Sequence, residues 1–153
     1  MKRPKLLCVG LDSRTRVSYE RAFRRGGYDV LLASRPSKAL RAFHSPVNNI
    51  DVVICSYDLP GMTGAELAAE LKRANPRVHV IMFSGSQAML EEASHFVDAA
   101  VPQGAAPELV ISKLDRLFGT RDSDLISTHR YIPVTSAIAG IVVAGLFVSK
   151  LWE

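Results

Sequence analysis

Five short apolar runs, each followed by a segment of helical period, constrain this chain of 153 residues more than any other feature. Lys5–Gly10, Tyr28–Ala33, Asp51–Ser56, Val78–Phe83 and Ala99–Val101 read as strands, apolar almost throughout. Strands of that kind are buried on both faces, as in a parallel sheet. Between them lie helical patterns. Asp12 or Ser13 caps a first helix running to about Gly26-Gly27, with Ser18/Tyr19, Ala22 and Phe23 recurring at helical spacing. Pro36 opens a second helix, with Ala39, Leu40 and Phe43 as its stripe. Thr63-x-x-Glu66 is a capping box for a third, with Leu67 and Leu71 inward and Asn75-Pro76 as its stop. Ser86 caps a fourth, Gln87 to about Phe96, and Pro107-Glu108 opens a fifth with Leu109, Val110, Leu114, Leu117 and Phe118. Right-handed crossovers then give one parallel sheet with helices on both faces.

In such a sheet, sites form at the carboxyl ends of strands. The third strand ends at Ser56, followed by Tyr57, Asp58 and the turn Leu59-Pro60-Gly61-Met62-Thr63-Gly64. Ser56 and Asp58 are therefore the first residues to test for chemistry.

With 48% apolar residues the chain can form a sizeable core. Its net charge of +4 is uneven: Lys2, Arg3, Lys5, Arg14, Arg16, Arg21, Arg24 and Arg25 face only Asp12 and Glu20 before Gly26. Such an excess serves a solvated helix face, anionic lipid, nucleic acid or an acidic partner. Cys8 and Cys55 both fall inside strand runs and form neither a disulfide framework nor a metal motif. They read as buried free thiols. Leu6 to Gly10 is too short an apolar stretch for a signal peptide.

Residues 120–130 are polar and read as a linker. Tyr131–Ser149 then runs for 19 residues without a charge, bracketed by Arg130 and Lys150, with Tyr131 and Trp152 at interfacial positions. As a helix it would be about 28 Å long, close to the roughly 30 Å of a bilayer core. A transmembrane helix over 131–149 with a tail of 150–153 is the expectation; a hydrophobic helix packed on the domain or on a second subunit is the alternative. Arg116, Arg121 and Arg130 precede the run and only Lys150 follows it, which predicts that the N-terminal side stays in the cytoplasm. Ser136, Gly140 and Ala144 form a small-residue stripe through which two such helices could pair as a homodimer.

The order of elements, the turn Leu59–Gly64, Gly27-Tyr28-Asp29-Val30, Ala39-Leu40 and Ile81-Met82-Phe83-Ser84-Gly85 resemble the receiver domain of bacterial response regulators from about Lys5 to Phe118. The resemblance implies an α/β, doubly wound, flavodoxin-like fold over residues 1–119 with strand order 2-1-3-4-5. It also implies a phosphorelay site: an aspartate at the end of the third strand, an acidic pair holding Mg²⁺ after the first, a hydroxyl after the fourth, and a lysine after the fifth with an aromatic switch residue three before it. Here those positions hold Ser56, Gly10 and Leu11, Ser84, Gln103 and Ala100. Of these only the Ser84 hydroxyl is kept.

An acyl phosphate needs a carboxylate nucleophile, and phosphoryl transfer needs a metal and a cation to neutralise charge. Gly10 and Leu11 offer no side-chain oxygen to Mg²⁺. The reading is a pseudo-receiver: non-enzymatic, without metal or cofactor, docking an unidentified protein partner at a membrane. In receivers the surface of the fourth helix, fifth strand and fifth helix makes partner contacts; here it holds Leu90, Glu91, His95, Leu109 and Leu117-Phe118. Two other readings compete with it. One is a working phosphorelay through Asp58 or Ser56. The other is nucleic-acid or anionic-lipid binding through the basic first helix. With no helix-turn-helix and no aromatic interleaving, no nucleic-acid partner is expected. Asp12 reads as a helix cap pointing away from the site, and Asp58 as a solvated loop residue.

Overall fold

The computed structural model describes residues 3–119. The linker, the 131–149 run with its Ser136, Gly140, Ala144 stripe, and the tail lie outside the described residues. Among the described residues no helix is long and apolar enough to cross a membrane. The chain divides into two units, Met1–Lys113 and Leu114–Glu153. The first carries the sheet; the described part of the second is the end of the last helix.

The elements run β1 (Lys5–Val9), α1 (Ser13–Arg25), β2 (Asp29–Ala33), α2 (Pro36–His44), β3 (Val52–Ser56), β4 (Asp58–Leu59), β5 (Met62–Thr63), α3 (Gly64–Ala74), β6 (His79–Ser84), α4 (Gln87–Ala93), β7 (Ala99–Pro102) and α5 (Pro107–Gly119). Five strands form a parallel sheet in the order β2-β1-β3-β6-β7. This is the expected 2-1-3-4-5 topology, renumbered by two extra strands. Those two, β4 and β5, form an antiparallel hairpin within the turn read from the sequence as a loop. Pro60-Gly61 makes its bend, with Gly61 at φ +87°, the composition of a type II turn.

All five residues of β3 are buried, at the centre of the sheet. Leu7, Val9, Val53, Cys55, Val80 and Met82 pack with Ala39, Leu67, Ala68 and Leu71 of α2 and α3. Leu6, Cys8, Val52 and Ile54 alternate with them and are equally buried. Each fully buried Leu or Ile contributes about 1.5–3 kcal/mol. Val9 registers with Cys55, so Cys8 and Cys55 point to opposite faces of the sheet.

The helix ends follow the sequence signals. Asp12 caps α1, accepting from the amides of Arg14 (3.0 Å) and Thr15 (2.9 Å). Thr63 and Glu66 complete the capping box of α3. Pro36 takes the first turn of α2. Two expectations are corrected. The fourth helix ends at Ala93 rather than near Phe96, because the Ser94 hydroxyl and amide both donate to the Glu91 carbonyl (2.8 and 3.3 Å) and tighten the last turn. Of the apolar set on α5, Leu109 is 41% exposed and does not join the core, while Val110 beside it is buried.

Candidate functional site

Gly10, Leu11, Asp12, Thr15, Ser56, Asp58, Phe83, Gln103 and Gly104 line one cavity of about 320 Å³ at the carboxyl ends of the parallel strands. Parallel pairing makes this site. Register sets Val9 against Cys55 and Ser56 against Phe83, so the residues leaving β1, β3 and β6 emerge together. The edge is closed by β7: Ser84 registers with Pro102, and the Gln103 amide donates to the Ser84 carbonyl (3.2 Å). Pro102, lacking an N–H, is tolerated there because β7 is an edge strand.

Four positions singled out in the sequence thus meet in space: Gly10, Leu11, Ser56 and Gln103. Ser84 and Ala100 are not among the lining residues. The buried Ser84 hydroxyl turns onto its own loop, donating to the Ser86 carbonyl (2.8 Å) and accepting from the Ser86 amide (3.3 Å). Ala100 is half-buried and registers with Met82. Asp12 departs from expectation. It caps α1 and also borders the cavity, and Asp58, exposed in β4, borders it too.

Sequence reasoning missed Thr15, Phe83 and Gly104. Thr15 had a signal, since it lies three residues after the cap and its hydroxyl donates to Asp12 Oδ2 (2.7 Å). Phe83 carried none at this site; it packs edge-on against Tyr19, ring centroids 5.5 Å apart. The Tyr19 hydroxyl donates to the Ala105 carbonyl, and burial raises its pKa above the ordinary phenol value.

The hairpin shapes the floor. Gly64 sits so close to β3 that a Cβ would strike the Ser56 carbonyl, and its amide donates to the Tyr57 carbonyl (2.6 Å). Tyr57 points away from the cavity: its hydroxyl donates to Glu92 of α4, which raises its pKa. Gly10 has φ +72°, and a Cβ there would strike Leu59 Cδ2.

The lining carries net negative charge from its side chains. It has two carboxylates and no Lys or Arg. Hydrogen bonds from the Thr15 amide and hydroxyl hold the Asp12 carboxyl below its ordinary pKa, so it is an anion already committed to α1. Among the described residues Ser56 Oγ has no hydrogen-bonded base, and none of their His, Cys, Asp and Glu gather in threes to hold a metal. Positions 10 and 11 present no side-chain oxygen to a divalent cation, and the Asp12 carboxylate that borders the cavity is hydrogen-bonded to the first turn of α1.

The family model for the response regulator receiver domain matches residues 7–103. The chain belongs to the response regulator receiver family. It is thus a receiver domain of two-component signalling, with that family's sheet and connections. No curated protein sequence matches it. Among solved structures it is similar to a CheY-like receiver domain protein from Methanospirillum hungatei JF-1, at 19% identity and TM-score 0.73, over 80% of this chain and 99% of the other. It is similar also to the signal receiver domain of an HD domain-containing protein from Pseudomonas fluorescens Pf-5, at 18% identity and TM-score 0.71, over 81% and 93%. The chemotaxis response regulator CheY4 of Vibrio cholerae matches at 20% identity and TM-score 0.68, over 76% and 100%. At these identities the likeness is one of fold.

Proposed function

We propose that this receiver domain is a non-enzymatic docking module that is not phosphorylated through the family's aspartate chemistry. In this reading residues 131–149 tether it, as a single-pass anchor pairing through Ser136, Gly140 and Ala144, to the cytoplasmic face of a bacterial membrane. The observation that carries the loss of chemistry is the cavity lining: Ser56 where a carboxylate is needed, Gly10 and Leu11 where metal-binding oxygens are needed, and Gln103 where a cation is needed. An incoming phosphoryl group would meet Asp12 and Asp58 with no positive side chain to offset them. The support for the tether is the uncharged run itself and its flanking charges. On the partner surface, Glu91, His95 and Leu109 are exposed and Leu90 is half-buried.

The test is a titration of the full chain with Mg²⁺ and acetyl phosphate, followed by amide NMR. No shift is expected at Ser56 or Ser84; shifts clustered there overturn the proposal. For the tether, the full chain is compared with one ending at Gly119. Equal fractionation of both with membranes overturns the anchor.

A second reading rests on Asp58 and Asp12 lining the same cavity as Ser56. Asp58 or Ser56 would then be an altered acceptor. Incubation with a labelled histidine kinase separates the two readings, since the altered acceptor predicts label on the chain that Asp58→Asn or Ser56→Ala removes.

A further inference from the structure

Helix α1 carries Arg14, Arg16, Arg21, Arg24 and Arg25 against Glu20, a surplus equal to the whole chain's net charge of +4. The rest of the chain is therefore neutral on balance. Glu20 is spent on Arg24, at 2.9 Å.

The remaining charge is ordered. At 100° per residue, Arg14, Arg21 and Arg25 fall within about 40° of one another, opposite the buried Tyr19 and Phe23. All three are exposed, and among the described residues none makes an ion pair. Val17, on the same side, is 52% exposed, an apolar residue set among arginines. With Ser18 and Glu108 these residues border a groove of about 390 Å³. A row of cations around one exposed apolar residue is complementary in charge to the surface of an anionic bilayer.

We infer that the Arg14, Val17, Arg21, Arg25 face of α1 rests on the anionic headgroups of the membrane, with Val17 entering the interface. This inference rests on the proposed tether, which supplies the occupant. The linker of residues 120–130 reaches at most about 40 Å when extended, so a tethered domain never leaves the neighbourhood of the lipid surface. Lipid phosphates are then at high effective concentration, and modest attraction per arginine suffices. Each arginine is worth about fivefold in the contact equilibrium, so three together set it by roughly a hundredfold.

The test uses the full chain in vesicles of phosphatidylcholine alone or with phosphatidylserine. Val17→Cys is labelled with an environment-sensitive fluorophore; the native Cys8 and Cys55 are buried and do not compete for it. Val47→Cys, 81% exposed in the α2–β3 loop, is the control. The expected result is shielding of position 17 from an aqueous quencher in phosphatidylserine vesicles only, lost at high salt and in Arg14→Gln/Arg21→Gln/Arg25→Gln, with position 47 always accessible. Equal quenching at 17 in both vesicle types, while the chain still floats with them, overturns the lipid face and leaves the tether standing. A chain that floats with neither overturns both. Shielding of position 17 by duplex DNA or an acidic protein in solution, without shielding by vesicles, also overturns the proposal.

Discussion

Leu59 Cδ2 occupies the space that a Cβ on Gly10 would need, and Gly10 itself is left-handed at φ +72°. The end of β1 and the tip of the β4–β5 hairpin are thus fitted to one another. In the receiver family an acid stands at this position, so the glycine is a change of packing as well as of charge. Gly10→Asp is expected to destabilise the domain by about 2 kcal/mol or more, from left-handed strain and overpacking together. Leu59→Ala opens the space, so Gly10→Asp should cost about 1 kcal/mol less in that background. Urea unfolding of the four corners of this cycle measures the coupling. Strictly additive costs would show that the two residues do not compete.

The two buried thiols predict an alkaline limit. Burial pushes Cys55 up to about 12, and burial aided by Glu20 does the same to Cys8, from an ordinary 9.0. Below pH 9 both are protonated whether the chain is folded or not, and their contribution is fully present. Between 9 and 12 the unfolded chain releases protons that the folded one holds, so stability falls as pH rises. The loss is on the order of 1.4 kcal/mol per pH unit for each thiol. Urea midpoints of wild type and Cys55→Ala, followed from pH 8 to 10.5, give the check: the variant's decline should be distinctly shallower. Parallel declines would mean that Cys55 is not buried as described.

At the acid end the relevant group is Asp12, held below its ordinary pKa first by the Thr15 amide and then by the Thr15 hydroxyl. A depressed folded pKa gives stability that is present above the ordinary carboxylate value and lost as pH falls through the folded one. Asp12→Ala should therefore lower Tm at pH 7, and the gap from wild type should close as pH is taken below 4. A gap that stays constant down to pH 3 would assign the effect to helix propensity rather than to the charged cap.

The strand tips and caps were legible because their signals are local. Asp12, Thr63 with Glu66, and Ser86 each bond within three residues of themselves. The gathering of Gly10, Leu11, Ser56 and Gln103 was legible only through the resemblance, since it depends on parallel register between distant segments. The β4–β5 hairpin was not legible: two-residue strands have no period, and Pro60-Gly61 shows only that the chain turns. Asp12's second role at the cavity was missed for the same reason. Capping accounted for the residue, and nothing nearby in the sequence tells that β1 and β3 end side by side. The contact of Leu59 with Gly10 leaves no trace in the sequence at all.

Asp98 ties the start of the edge strand β7 to its neighbours. Its Oδ2 accepts from Lys72 Nζ of α3 and from the Val80 amide of β6, both at 2.7 Å, while its own amide donates to the Val80 carbonyl at 2.8 Å. Lys72 is held further by the Val78 carbonyl, at 2.6 Å. The side chains of Lys72 and Asp98 are only 21% and 28% exposed, so this pair is better shielded from water than a surface ion pair. Asp98→Ala leaves the Val80 N–H without its acceptor and Lys72 with the Val78 carbonyl alone, and should cost about 2–3 kcal/mol. Asp98→Asn keeps one acceptor oxygen for the amide, gives up the charge, and should cost about half as much. Because β7 has a partner on one side only, the loss should appear locally first. Amide exchange in Ala99–Val101 should accelerate more than in β1. Should Asp98→Ala cost less than about 0.5 kcal/mol, as a surface substitution does, the knot would be incidental to the stability of that edge.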